Sequence, residues 1–229
     1  NYEEKKNNIT TKKIDKIKIE NLNFNYEKKQ ILKNINFSFN KGKTYGIIGK
    51  SGSGKSTLLD ILMGIKEPTS GKIFINENEC DYKRNKWTKF VGYVPQNVYL
   101  SDDTTANNIC FGISEKNIDK NKLNKVLEQS NLENFIESLP KKLDTIVGEK
   151  GAKISGGQIQ RIGIARALYI DPTLLFFDEA TSQLDNETEI SILKDILKLK
   201  KNKIIFFVTH KAKETGYFDE ILDLKDINF

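Results

Sequence analysis

Gly49-Lys50-Ser51-Gly52-Ser53-Gly54-Lys55-Ser56, directly after the apolar run Thr44-Tyr45-Gly46-Ile47-Ile48, is the stretch that decides the fold. Its glycines let successive backbone N–H groups turn toward one point, and the helix predicted over Ser56–Met63 adds the positive end of its dipole. Strand, glycine loop and helix in that order read as a phosphate-binding loop rather than an ordinary tight turn. In that reading Gly49, Lys50, Ser51, Gly52, Ser53, Gly54 and Thr57 cradle the phosphates of ATP. Lys55 bridges the β- and γ-phosphates, and Ser56 ligates Mg2+. About a hundred residues on, Ile154-Ser155-Gly156-Gly157-Gln158 is a second loop of the same kind, too distant to be part of the first. Two such loops on one nucleotide fold predict that a neighbouring copy closes each site.

The rest of the chain sets bounds. At 229 residues it is long enough for one large domain or two small ones. Hydrophobic residues make up 38% and mean hydropathy is −0.51, a globular composition. No apolar run approaches the ~20 residues that span a bilayer; the longest, Ile204–Val208, reads as a buried strand. No signal-peptide pattern is read in these residues, and the start at Asn1 without methionine is expected of a fragment of a longer chain. Cys80 and Cys110 form no CxxC pair and no disulfide frame, as expected in a reducing compartment. The net charge of +6 is almost all lysine, with Arg84, Arg161 and Arg166 the arginines. Because acids are interspersed throughout, it reads as a solvated surface rather than a nucleic-acid or membrane patch.

Residues 1–15 are polar and aperiodic, a predicted lead-in. Lys16–Phe24 and Ile31–Phe39 alternate like strands, and Gly71–Asn76 and Phe90–Val94 add two more before Pro95. From Asn97 the pattern turns helical. Ile118, Leu123, Val126 and Leu127 recur at helical spacing within Asn117–Gln129, and Leu132, Phe135, Ile136 and Leu139 follow up to Pro140. Gly157–Leu168 and Glu187–Leu199 are predicted helices, and Leu174–Phe177 and Lys203–Val208 predicted buried strands. Strands alternating with helices imply an α/β fold with a mostly parallel sheet. The expected division is a core over 16–96 and 154–229, including an antiparallel β subdomain, with a helical subdomain inserted over 97–153.

Leu174-Leu175-Phe176-Phe177-Asp178-Glu179 is an apolar strand ending in two acids. Asp178 at the strand's carboxyl end suits Mg2+, and Glu179 suits a base for the attacking water. His210, the chain's one histidine, follows the strand predicted to lie beside Asp178, where sheet ligands gather. It can donate a hydrogen bond to the γ-phosphate.

Over about residues 16–224 the chain resembles the nucleotide-binding domain of an ABC transporter. Residues 49–56 resemble its Walker A motif, Ile154–Gln158 its signature, and Leu174–Asp178 its Walker B strand, followed by the catalytic glutamate position at Glu179. Gln96 stands at the Q-loop glutamine, Ser182-Gln183-Leu184-Asp185 at the D-loop, His210 at the switch histidine and Tyr26 at the aromatic that stacks on adenine. The resemblance implies a P-loop ATPase with Glu179, His210, Gln96 and Lys55 in catalysis. It implies Mg2+ on Ser56, Gln96 and Asp178, and nucleotide contacts from Tyr26, Asp185 and, across a head-to-tail dimer, Ser155, Gly156, Gly157 and Gln158.

Thr145–Gly151 resembles the X-loop of exporters, and Val94–Asn97 with Asp103-Thr104 and Asn108-Ile109 resembles their stretch after the Q-loop. Asp102-Asp103-Thr104 resembles the variant in flippases of lipid-linked oligosaccharides. The resemblance therefore implies transmembrane domains as partners, in one polypeptide upstream, and a place on the cytoplasmic face of the cell membrane. Ile154 and Gln183 depart from the common leucine and alanine of their motifs, and Lys211 from a frequent arginine. A stand-alone importer ATPase subunit is an alternative, disfavoured by the X-loop-like segment. A DNA-maintenance ATPase is another, but those place a long coiled coil between the two loops and no sustained heptad occurs here. No nucleic-acid partner is expected.

Overall fold

Residues that alternate in polarity form half-buried strands, and runs that are wholly apolar form strands covered on both faces. The computed structural model describes residues 13–82, 87–149, 151, 154–182, 184–210 and 216–224. Most of the lead-in (1–12), Arg84, Lys150 of the X-loop-like segment, Gln183 and Lys211 lie outside the described residues. In chain order the elements are β1 (Lys16–Tyr26), β2 (Lys29–Asn40), β3 (Thr44–Ile48), α1 (Lys55–Leu62), β4 (Ser70–Ile75), β5 (Asn78–Glu79) and β6 (Val91–Val94). Then come β7 (Asp103–Thr104), α2 (Thr105–Ile109), α3 (Lys120–Gln129), α4 (Glu133–Ser138) and β8 (Ile146–Val147). The chain ends with α5 (Gly156–Tyr169), β9 (Leu174–Asp178), α6 (Asn186–Leu197), β10 (Ile204–Val208) and β11 (Glu220–Asp223).

The alternating strands make an antiparallel sheet in the order β2-β1-β4-β5, with Ile17, Ile19, Leu22 and Phe24 of β1 turned inward. The apolar runs make a parallel sheet in the order β11-β3-β10-β9-β6. Successive residues of its central strands serve opposite faces. Phe206 of β10 stacks on Phe176 at 4.4 Å and meets Phe39 of the antiparallel sheet at 4.9 Å. One residue on, Phe207 stacks on Phe177 at 4.8 Å in the other core, among residues of α5 and α6. Burial on both faces is why these strands carry no polar alternation.

Between the two glycine loops lie α2, α3 and α4 and the short β7–β8 pair, none long enough for a coiled coil. The helix predicted from Asn117 begins at Lys120, because Asp119 caps it by accepting from the Asn121 and Lys122 amides at 2.9 and 3.1 Å. Glu115–Asn117 forms a separate 3-10 turn. Sequence reading missed β11, whose acidic ends mask a strand that pairs with β3. It also missed α2, only five residues long and capped by Thr104. Among the described residues no helix is long and apolar enough to cross a membrane.

Phe206 is fully buried where the two sheets meet. Phe206→Ala is expected to cost about 3–5 kcal/mol, the range for emptying a buried aromatic site, read as a lower urea midpoint with an unchanged slope. A loss under about 1 kcal/mol would mean the sheets do not pack through this ring.

Candidate functional site

Three parallel strands bring the site together. Val208 of β10 lies opposite Ile47 of β3 on one side and Asp178 of β9 on the other. The loops that leave these strands at their carboxyl ends therefore start at one level, the edge at which open α/β sheets bind ligands. They carry Gly49–Gly54, Glu179 and His210.

Gly54 caps α1 with φ 94°, a left-handed conformation that glycine takes readily. A Cβ there would also stand 2.7 Å from the Leu32 side chain. Lys55, the first residue of α1, is buried, and its ammonium donates to the carbonyls of Gly49 and Lys50 at 2.9 and 3.1 Å. The loop thus wraps its own lysine, which holds a positive charge at the mouth of a helix. Ser56 is exposed and Thr57 buried beside it.

Asp178 ends β9, and Tyr93 of β6 donates its phenol to Asp178 Oδ2 at 3.1 Å. Burial pushes the Asp178 carboxyl above its ordinary range; the Tyr93 hydrogen bond opposes this, and the nearby charges of Glu179 and Asp60 add to it. Glu179 sits at φ 49°, uncommon for a residue with a side chain, and its amide donates to the Val208 carbonyl at 3.0 Å. That bond ties the acid to the strand preceding His210. The His210 imidazole Nδ1 lies 3.5 Å from Glu179 Oε1.

Tyr26 completes this side from the end of β1, half exposed in the turn to β2. Tyr26, Ser51, Gly52, Gly54, Lys55, Ser56, Thr57, Glu179 and His210, with Lys29 and Ile31, line one cleft of about 720 Å3. The aromatic, the glycine loop, the acid and the histidine predicted from separate motifs thus share one wall-to-wall space.

Gln96 and the second glycine loop lie elsewhere. The Gln96 side-chain amide donates to Ser182 Oγ at 3.2 Å, and Gln96 lines a small groove with Gly156 and Leu184. Ser155 and Gln158 form a reciprocal cap on α5: Ser155 Oγ accepts from the Gln158 amide at 3.3 Å, and Gln158 Oε1 accepts from the Ser155 amide at 2.9 Å. This cap starts the helix at Gly156, one residue before the predicted start. Ser155, Gly156, Gly157, Gln158 and Asp185 line a second cleft of about 520 Å3, which shares no lining residue with the first. Asp185 caps α6 by accepting from the Thr188 amide at 3.0 Å, and that bond holds its carboxyl below the usual range.

Several partners of the site carried no sequence signal. Lys29 and Ile31 enter the first cleft because β2 folds back on β1, a pairing without a motif. Tyr93 reaches Asp178 because β6 and β9 are neighbours. Arg161, on the α5 face toward the second cleft, donates to Asp195 at 2.9 Å, to Ser191 Oγ at 3.0 Å and to the Ser130 carbonyl at 3.0 Å. An arginine three residues beyond a helix-opening Gly-Gly-Gln was the one available hint. Among the described residues no three His, Cys, Asp or Glu side chains form a metal cage. Burial raises the Cys80 thiol to about 12, which leaves it a poor nucleophile.

Residues 32–182 match the family described as ABC transporter. An ATP-dependent lipid A-core flippase of Idiomarina loihiensis is 41% identical over 209 residues, 90% of this chain and 36% of that protein. The mitochondrial iron-sulfur clusters transporter atm1 of Aspergillus fumigatus is 39% identical over 92% of this chain and 29% of its own length. The structure of a bacterial Atm1-family ABC exporter with ATP bound superimposes with a TM-score of 0.80 at 31% identity, covering 92% of this chain and 37% of that one. The chain spans only 29–37% of the length of these relatives. A family match over most of the chain, joined to a cleft built from the same motifs, makes this chain an ATP-binding domain of the ABC transporter family.

Proposed function

We propose that this chain hydrolyses ATP to ADP and phosphate and that two copies, closing head to tail on two ATPs, drive an exporter or flippase. The observation that carries the reading is the split of the motifs. Tyr26, the first glycine loop, Glu179 and His210 line one cleft, whereas Ser155, Gly156 and Gly157 line another. A γ-phosphate bound in the first cleft then meets the second glycine loop from a partner copy. ATP between two backbone cradles joins the halves, and hydrolysis parts them.

In the first cleft Tyr26 stacks on adenine, the amides of Gly49–Gly54 take the phosphate oxygens, and Lys55 turns its ammonium from its own carbonyls to the β- and γ-phosphates. Ser56 and Asp178 offer a hydroxyl and a desolvated carboxylate, the hard oxygen donors that suit Mg2+ together with phosphate and water. Mg2+, when bound, offsets charge developing on the β- and γ-oxygens. Glu179 accepts a proton from the water whose oxygen bonds to the γ-phosphorus as the bond to the β-bridging oxygen breaks. His210, beside Glu179, hydrogen-bonds the γ-phosphate, and Gln96 reaches the site from the neighbouring groove on closure.

The stretch 97–153 acts as the helical subdomain that meets the membrane partner. Tyr99 is 71% exposed just before β7, and Ile146 is 54% exposed on β8, which pairs with β7, so apolar side chains face outward on both exporter-like segments. That partner is a set of transmembrane domains, and the chain works at the cytoplasmic face of the membrane. The importer-subunit alternative is disfavoured by relatives named as flippases and exporters.

Glu179→Gln is expected to abolish hydrolysis while keeping ATP binding, and to accumulate an ATP-dependent dimer on size-exclusion chromatography. Turnover at the wild-type rate would remove Glu179 from the role of base. In Gly157→Val the new side chain would collide with Thr188, whose methyl already lies 2.8 Å from a Cβ at that position. This variant should bind ATP as a monomer and fail to dimerise; a normal ATP-dependent dimer would refute the second cradle.

A further inference from the structure

We infer that Lys66 is a positioning residue for the nucleotide base, a clamp that locks the Tyr26 ring to the helix of the phosphate loop. The inference rests on the reading of Tyr26 as the adenine platform. The Lys66 ammonium donates to the Tyr26 hydroxyl at 2.6 Å and to Asp60 Oδ2 at 2.7 Å. It lies 5.2 Å from the centre of the Tyr26 ring. Asp60 belongs to α1, the helix that Lys55 begins, and the Asp60 carbonyl accepts from the amides of Ile65 and Lys66 at 2.8 and 3.2 Å. The turn after α1 is thereby wound tightly on Asp60, which points Lys66 back along the helix toward β1.

Tyr26 needs such a clamp. It closes β1 at a tight turn with Glu27 at φ 51°, it is 46% exposed, and its ring is held on one side by the edge of Phe24 at 4.9 Å. A half-exposed aromatic otherwise samples several rotamers, and fixing it when the base binds costs affinity. The ammonium holds the far end of the ring, so part of that ordering is done beforehand. The phenol is lowered from its ordinary range by Lys66 first and Thr57 second, residues that α1 and its following turn supply. Base platform and phosphate loop then move as one body, and the distance between base and triphosphate sites is set by the protein rather than by the ligand.

The clamp predicts a particular pattern in ATP affinity, measured on the full chain by fluorescence titration with and without Mg2+, alongside kcat and KM. Tyr26→Phe and Lys66→Met should each weaken binding about three- to tenfold, the scale of a charged hydrogen bond near the surface. Their combination should be no worse than either alone, since both remove one interaction. Lys66→Arg should restore affinity, and kcat at saturating ATP should hold in Lys66→Met. Tyr26→Ala, which removes the ring, should weaken binding more than Tyr26→Phe. If Tyr26→Ala weakens binding but Tyr26→Phe and Lys66→Met bind like the wild type, the clamp is wrong and the platform stands. If the two losses multiply, Lys66 does not act through Tyr26 and the inference is overturned. If Lys66→Met lowers Tm alone and leaves affinity intact, Lys66 is merely structural. Unchanged affinity in Tyr26→Ala would remove the platform and the clamp together.

Discussion

The parallel register of β3, β10 and β9 is the constraint on which the site depends. Each strand is buried on both faces, so a slip of one residue would turn phenylalanines from one core into the other. Phe176 with Phe206 and Phe177 with Phe207 stack as cross-strand pairs at 4.4 and 4.8 Å and pin that register. With the strands level, three loops open at one edge, and a lysine, two acids and a histidine from distant parts of the chain meet there. The chemistry needs their positions held, and the core that holds them contains none of them.

Charge in and beside the first cleft is arranged in opposed layers. Lys55 is buried against backbone carbonyls, while half-buried Asp178 accepts from a phenol, with carboxylates nearby and only the more distant Lys55 charge opposing them. Neither group has a full salt bridge within the described residues. Desolvated charges so weakly paired respond strongly to an incoming ligand of opposite sign, because little protein–protein interaction has to be given up. A triphosphate would suit the first group and a divalent cation the second, in keeping with the proposed function.

The two clefts differ in how they are built. The first is assembled from β1, β2, α1 and the ends of β9 and β10. The second is made by the N-terminal turns of α5 and α6, each closed by a side-chain cap from Ser155 and Asp185, and braced behind by Arg161 on Asp195. Rigid caps leave the first-turn amides facing outward, as a surface that receives a ligand carried by another molecule requires. The same economy appears at Lys66, where one ammonium joins the end of the antiparallel sheet to the helix of the phosphate loop.

Strand periodicity, the glycine loops and the acid-ended apolar strand were legible in the chain because each depends on residues close in sequence. Thr44–Ile48 and Leu174–Asp178 could be read from apolar runs alone, and Gly54 from the backbone conformation its loop demands. The composition of the first cleft was partly legible through motif order, though no motif announced Lys29, Ile31, Tyr93 or Lys66. Those side chains act through neighbours fixed by pairing of β1 with β2, of β6 with β9, and by the turn after α1. Likewise, one chain's sequence places Lys55 and Ser155 in two phosphate-binding loops, but only the packed structure puts them in clefts without a shared wall. Local conformational preference is written residue by residue, whereas contacts between residues far apart exist only once the hydrophobic cores have brought their strands together.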